Sequence, residues 1–174
     1  KDRTVRSSLG AWLLTSGGEG LAASQVGGGE DGEQCGHCGG VLTRTGLGER
    51  LRLGIVGAGA ITQVGHLPAL KRLKDVEVVA LCDNDGPKAR ALADRFGVPD
   101  AFTDIDELLE FDELDAVVVA TPNHLHEPHV LSALAAGLDV LCERPLAMTA
   151  KGVDRILDAA TRADRKVVVA NNHR

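Results

Sequence analysis

The C-terminal two-thirds of the sequence predict an α/β fold: a doubly wound parallel sheet with strand order 3-2-1-4-5-6. From Leu51 onward, short runs rich in Val, Ile and Leu alternate with segments of helical periodicity. The runs are apolar almost throughout, as in strands that are buried on both faces. The connections are short, which favours repeated strand–helix–strand units with helices above and below one sheet.

The elements follow one another in a regular order. Strands are expected in LRLGIVG, VEVVALCD, Ala101–Phe102, LDAVVVAT, LDVLCE and KVVVAN. The apolar spacing between them predicts helices near Ala60–Leu73, Pro87–Phe96, 104–110, Leu125–Ala136 and Ala150–Ala163. The short acidic helix at 104–110 should turn Ile105, Leu108, Leu109 and Phe111 inward, with Asp104 or Asp106 as its cap.

Residues 1–49 differ from the rest. They contain thirteen of the 21 glycines and show no sustained period of 2 or 3.6. Such a segment cannot bury enough surface to offset the entropy of ordering it, so a disordered Gly-rich tail is expected before a domain at 50–174.

Composition excludes several classes of function. The net charge of −6 argues against a nucleic-acid surface, and no apolar run approaches the roughly 20 residues of a membrane span. The chain has no signal-peptide core and does not begin with Met, so a cytoplasmic enzyme, or a fragment of one, is expected.

Two glycines mark the junction of the first strand and the first helix. Gly57 permits a tight turn, and Gly59 lets the backbone approach a ligand with no Cβ in the way. The following helix directs free N–H groups at the same place, which suits a pyrophosphate lying along Gly57, Gly59, Ala60 and Ile61. Thr62 stands where a third glycine is common, a mild departure because that position governs helix packing. A purely structural turn is the alternative.

Asp83 ends the second strand at the spacing expected for a carboxylate that holds the adenosine ribose hydroxyls. It would repel a 2′-phosphate by about 1–4 kcal/mol at 4 Å, and the nearest cations are Lys88 and Arg90. NAD is therefore favoured over NADP. The alternative is that Asp83 only caps the next turn.

Two clusters suggest metal sites without supporting them. Cys35–Cys38 has C-x-x-C spacing but no second pair, and His124, His126 and His129 have no acidic ligand at suitable spacing. We expect no metal. Cys82 and Cys142 should lie three strand gaps, roughly 14 Å, apart and stay reduced.

The stretches GIVGAGAI, VVVATPNHLHEPHVLSALAAGLDVLCERPLA and NNHR together resemble the Gfo/Idh/MocA family (glucose-fructose oxidoreductase and inositol dehydrogenase). The resemblance covers Leu51 to Arg174 and implies the family's N-terminal Rossmann domain, without its C-terminal substrate domain. It implies hydride transfer between nicotinamide and a sugar or polyol. Because the substrate half is missing, the chain is expected to be a truncated form with doubtful activity of its own.

The resemblance also assigns residues. Thr121, Pro122, Asn123 and His126 match a family loop beside the nicotinamide, and Glu143, Arg144 and Pro145 match a Glu-Lys-Pro motif at the reacting centre. Arg144 replaces the lysine, so it can orient a substrate oxygen but cannot readily shuttle a proton. A surface ion pair is the other interpretation of Arg144. Asn171, His173 and Arg174 match the exit from the sixth strand.

Two other functions remain open: an NAD-binding module without turnover, and an inactive fragment. Beyond the small-molecule substrate of a full-length form, the sequence favours neither a membrane nor a nucleic-acid partner, and it does not indicate an oligomeric state.

Overall fold

A computed structural model describes residues 50–171. The expected tail at 1–49, the Cys35–Cys38 pair, and the matches at His173 and Arg174 lie outside these residues. The domain boundary at residue 50 stays a prediction.

Six strands form one sheet. They are β1 (Leu51–Val56), β2 (Val76–Cys82), β3 (Asp100–Phe102), β4 (Ala116–Val119), β5 (Asp139–Glu143) and β6 (Val167–Ala170). Every pairing is parallel, and the order is β3-β2-β1-β4-β5-β6. This confirms the predicted doubly wound sheet and its switch in strand order between β1 and β4.

Five helices connect the strands. They are α1 (residues 60–70), α2 (Gly86–Phe96), α3 (Ile105–Leu109), α4 (Asn123–Ala135) and α5 (Ala150–Ala163). The middle of α1, Thr62–His66, is π-helical, and the helix ends three residues earlier than expected. Helix α4 begins at Asn123 rather than Leu125, because Pro122 serves as its cap residue and starts the turn directly after β4.

Side-chain caps fix the start of three helices. Asp85 accepts a hydrogen bond from the N–H of Lys88 at α2, and Thr149 accepts one from Gly152 at α5. At α3 the cap is Asp104, which accepts from the N–H of Asp106 and so settles the choice between these two aspartates. Each cap satisfies an N–H group that the helix itself cannot.

The core lies on both faces of the sheet. All four residues of β4 are buried, and β1 and β5 are buried along nearly their whole length. Leu108 is fully buried, while Ile105, Leu109 and Phe111 pack against the same cluster, which confirms the inward side of the acidic helix. Within residues 50–171, no helix is long and apolar enough to cross a bilayer.

The register places Cys82, Val56, Val119 and Cys142 in one row across β2, β1, β4 and β5. The two cysteines are therefore three strand gaps apart, about 14 Å, and both are free and buried, as predicted. Burial raises the pKa of each thiol to about 12, with nearby carboxylates as a further cause. Neither is a nucleophile at neutral pH.

Candidate functional site

The carboxyl ends of four central strands meet at one edge of the sheet. The last residues of β2, β1 and β4 are in register with Cys142, the next-to-last residue of β5, so the loops that follow these strands lie side by side. Most of the residues that the sequence assigned to a cofactor belong to these loops, in the crevice where open α/β sheets bind ligands.

Gly57 turns the chain out of β1 in a conformation that requires glycine. Its φ is 102°, and its N–H donates to the carbonyl of Cys82 at 2.7 Å. A Cβ at this position would lie 2.5 Å from the carbonyl oxygen of Ala120. Gly57 is therefore fixed both by its backbone angle and by the close approach of the loop after β4.

Gly59 presents open space. A Cβ built there would meet no atom within 4 Å, and Ala60 and Ile61 beside it are exposed. The first turn of α1 starts here, and the leading N–H groups of a helix lack intrahelical partners. Room for close approach next to a helix N-terminus is compatible with a bound pyrophosphate, whose place at this turn stays a prediction.

Thr62 does more than the sequence indicated. Its side chain is completely buried, and its hydroxyl donates to the carbonyl oxygen of Gly57 at 2.6 Å. Gln63 donates in the same way to the carbonyl of Ala58 at 3.1 Å. Two side chains at the start of α1 thus stabilise the glycine turn through its backbone carbonyl groups. Sequence spacing gave no signal for this contact beyond the departure from glycine at Thr62.

Asp83 lies beside the turn and supports it. One carboxylate oxygen, Oδ2, accepts from the N–H of Ala58 at 2.7 Å. The other, Oδ1, accepts from the N–H of Asp85 at 3.0 Å and lies 2.8 Å from Nζ of Lys88. Burial acts to raise the pKa of Asp83, but the hydrogen bonds from Lys88, Asp85 and Ala58 together with the charge of Lys88 hold it below its usual value. The group is thus a carboxylate at neutral pH.

The loop after β4 contains the Thr-Pro-Asn motif. Thr121 is half-buried and places its hydroxyl 3.2 Å from Nδ1 of His129, whereas Pro122 and Asn123 are exposed. His126 is buried, with Nε2 2.8 Å from the carbonyl oxygen of Thr121 and Nδ1 2.7 Å from that of Pro145. His126 therefore ties the loop after β4 to the loop after β5.

Glu143, Arg144 and Pro145 leave the end of β5. Glu143 accepts a hydrogen bond from Nε2 of His66 at 2.9 Å, and the Arg144–Pro145 peptide bond is cis. Arg144 is exposed, and the ion pairs recorded among residues 50–171 do not include it. Its guanidinium is thus available to a ligand at this edge of the sheet.

The three clustered histidines do not form a metal site. Within the part of the chain that the structure describes, no group of three or more His, Cys, Asp or Glu side chains is arranged to hold a metal ion. His124 is exposed, and the two ring nitrogens of His126 lie against backbone oxygens. Burial holds the pKa of His129 below its usual value, and the charges of His126 and His124 act in the same direction. The charge of Asp106 opposes this shift.

Geometry and topology together define a dinucleotide-binding α/β domain. The family described as "Oxidoreductase family, NAD-binding Rossmann fold" (Gfo/Idh/MocA) matches residues 51–171, and the chain belongs to this family. This confirms the resemblance that the sequence motifs carry.

Known relatives share the domain. The inositol 2-dehydrogenase of Klebsiella pneumoniae subsp. pneumoniae is 39% identical over 119 residues, which are 68% of this chain and 35% of the relative. The D-glucoside 3-dehydrogenase of Escherichia coli is 35% identical over 124 residues, 71% of this chain and 35% of the relative. The chain thus spans about a third of the length of these curated relatives.

Solved structures give the same picture. A 3-ketoreductase from Actinomadura kijaniata, solved with NADP, superposes with a TM-score of 0.67 at 30% identity, covering 70% of this chain and 38% of that one. The fold therefore belongs to a known structural class.

Proposed function

We propose that residues 50–171 bind NAD at the carboxyl edge of the sheet, with NADP as the weaker ligand. One observation carries the proposal: the open backbone at Gly59 and the carboxylate of Asp83 sit on adjoining loops, joined by the hydrogen bond from Ala58 to Asp83. A pyrophosphate on the first feature brings an adenosine ribose to the second. The alternative that Asp83 is only a local cap does not account for the open space.

The other end of the cofactor would lie along the loops after β4 and β5. Thr121, Pro122 and Asn123 would flank the nicotinamide ring, and His126 would contribute by holding those two loops at a fixed separation. When bound, the nicotinamide supplies a carbon that accepts or donates hydride. The positions of these residues along the cofactor rest on the family's pattern.

Glu143, Arg144 and Pro145 would face the reacting centre. The exposed guanidinium of Arg144 can donate hydrogen bonds to a substrate oxygen and orient it, but with a pKa above about 12 it does not exchange protons near neutrality. We propose a sugar or polyol substrate, because relatives named inositol 2-dehydrogenase and D-glucoside 3-dehydrogenase share this domain. Hydride transfer needs the reacting carbons held about 3–3.5 Å apart, which takes substrate-holding residues beyond those described.

An NAD-binding module without turnover is the second candidate. Arginine in place of the family's lysine favours it, because the residue at the reacting centre then cannot serve as a proton shuttle. We further propose a cytoplasmic location and no nucleic-acid partner, the latter supported by the net charge of −6.

Calorimetric titration of the 174-residue chain with NAD tests the proposal. We expect saturable binding with a Kd below about 1 mM, weakened at least about tenfold by Asp83→Ala because the ribose hydroxyls lose a charged acceptor. Asp94→Ala is the matched control, since that exposed aspartate on α2 pairs only along its own helix with Arg90. Equal binding by both variants, or no saturation by the unmodified chain at millimolar NAD, would overturn the proposal.

Assays of sugars and polyols with NAD separate the two candidates. Turnover that depends on Arg144 supports the enzyme, and tight NAD binding without turnover of any of them supports the module.

A further inference from the structure

The ion pair between Lys88 and Asp83 changes the electrostatics of the adenosine end. Nζ of Lys88 lies 2.8 Å from Oδ1 of Asp83, whose side chain is 8% exposed, while that of Lys88 is 40% exposed. Lys88 is the third residue of α2, and its own N–H donates to Asp85. The lysine is thus anchored by its backbone next to the carboxylate, with its ammonium partly open to solvent.

A lone carboxylate at this place would reject a 2′-phosphate, because two negative charges would lie within a few ångströms of each other. An ammonium at hydrogen-bond distance cancels much of that repulsion. Lysine also carries three donors on a flexible four-carbon stem, so the same group can turn from Asp83 to a phosphate oxygen without moving the backbone.

Arg90, the neighbouring cationic residue on α2, pairs with a different carboxylate. Arg90 pairs with Asp94 one helical turn further on, at 3.8 Å. Asp85 adds a second carboxylate to the loop after β2, where it caps α2. With two acids and one paired lysine, the local charge still favours a ribose hydroxyl over a phosphate.

We propose that Lys88 is a specificity-determining residue, whose ammonium lets the Asp83 site accept the 2′-phosphate of NADP as well as the 2′-hydroxyl of NAD. The inference rests on the proposed NAD binding. It states that one side chain, that of Lys88, sets the ratio of the NAD and NADP affinities. In the unmodified chain NADP binds more weakly than NAD, but measurably. Without the lysine, the uncompensated carboxylate repels the 2′-phosphate and weakens NADP binding.

The experiment is a paired titration of the full chain with NAD and with NADP, at low and at moderate salt. Lys88→Ala should weaken NADP binding about tenfold or more and NAD binding less than about threefold, because only NADP brings the extra charge. Lys88→Arg should keep the unmodified ratio. Arg90→Ala is the matched control, which removes one positive charge from the same helix and should leave the ratio unchanged.

Salt gives a second readout. NADP affinity should fall more steeply with ionic strength than NAD affinity, and Lys88→Ala or Lys88→Gln should remove most of the difference. The inference is overturned if the unmodified chain binds NAD saturably but shows no NADP binding at a hundred times the NAD concentration that saturates it. It is also overturned if Lys88→Ala changes both affinities equally or neither. Absence of NAD binding itself would instead defeat the proposed function.

Discussion

His66 and Glu143, 77 residues apart, join α1 to the end of β5. Nε2 of His66 lies 2.9 Å from Oε1 of Glu143, and the two side chains are 3% and 15% exposed. His66 is the last residue of the π-helical segment of α1. This wider turn lies just before the final α-helical turn of α1, residues 67–70. The contact links the helix that starts at the glycine turn to the segment that carries Arg144.

This pair predicts a pH dependence of stability. Burial lowers the pKa of His66 from its ordinary 6.5, although the charge and hydrogen bond of Glu143 oppose the shift. The folded chain thus binds a proton less readily than the unfolded chain does. The stability due to His66 is present above pH 6.5 and is lost as the pH falls below it.

Urea denaturation between pH 7 and pH 5 measures the effect. The free energy of unfolding should fall less steeply in His66→Gln, because glutamine can still donate to Glu143 but does not titrate. His124→Gln, at an exposed histidine outside this pair, is the control and should change the slope less than His66→Gln does. Identical slopes for all three proteins would show that His66 does not contribute.

The two glycines of the turn should fail in different ways when replaced by alanine. Gly57→Ala places a side chain at a φ of 102° and 2.5 Å from the carbonyl oxygen of Ala120, so we expect a loss of about 3 kcal/mol or more in unfolding free energy. Gly59→Ala meets no protein atom and should change stability by less than about 1 kcal/mol.

Gly59→Ala should change NAD binding much more than it changes stability. Its new methyl group would occupy the space through which a phosphate approaches, so Gly59→Ala should weaken NAD binding at least about tenfold while melting normally. Thermal melting and calorimetry on the same samples separate the two effects. If Gly59→Ala binds NAD as well as the unmodified chain does, the pyrophosphate does not lie against this turn.

Thr62 should stabilise the turn through its hydroxyl. Thr62→Val keeps the shape but leaves the buried carbonyl of Gly57 without its donor, which should cost about 1–3 kcal/mol of unfolding free energy. Thr62→Ser keeps the donor and should recover most of that loss, apart from its missing methyl group. If serine is destabilising and valine is not, packing of the methyl group and not the hydrogen bond explains the threonine.

The sequence predicted the parts that depend on local pattern. The apolar runs located the strands, and their alternation with helices predicted the order around the β1–β4 switch. Gly57 could be assigned because a strand-to-helix turn with two glycines has few conformations. Helix ends were less certain: the start of α4 depends on Pro122, and the end of α1 on a turn after Leu70.

Contacts between distant segments could not be predicted. The pairing of His66 with Glu143, and the position of His126 between two carbonyls, arise only when α1, β4 and β5 come together. No spacing in the chain encodes such approaches. The pairing of Lys88 with Asp83 is closer in sequence, but only the structure shows which cation turns toward the carboxylate.

A crystal structure of the chain with bound NAD tests the central claim most directly. We expect the pyrophosphate against the backbone of Gly59 and the start of α1, with adenosine ribose oxygens about 2.5–3.2 Å from the carboxylate of Asp83. NAD bound at another place, or at this edge with the ribose out of reach of Asp83, would contradict it.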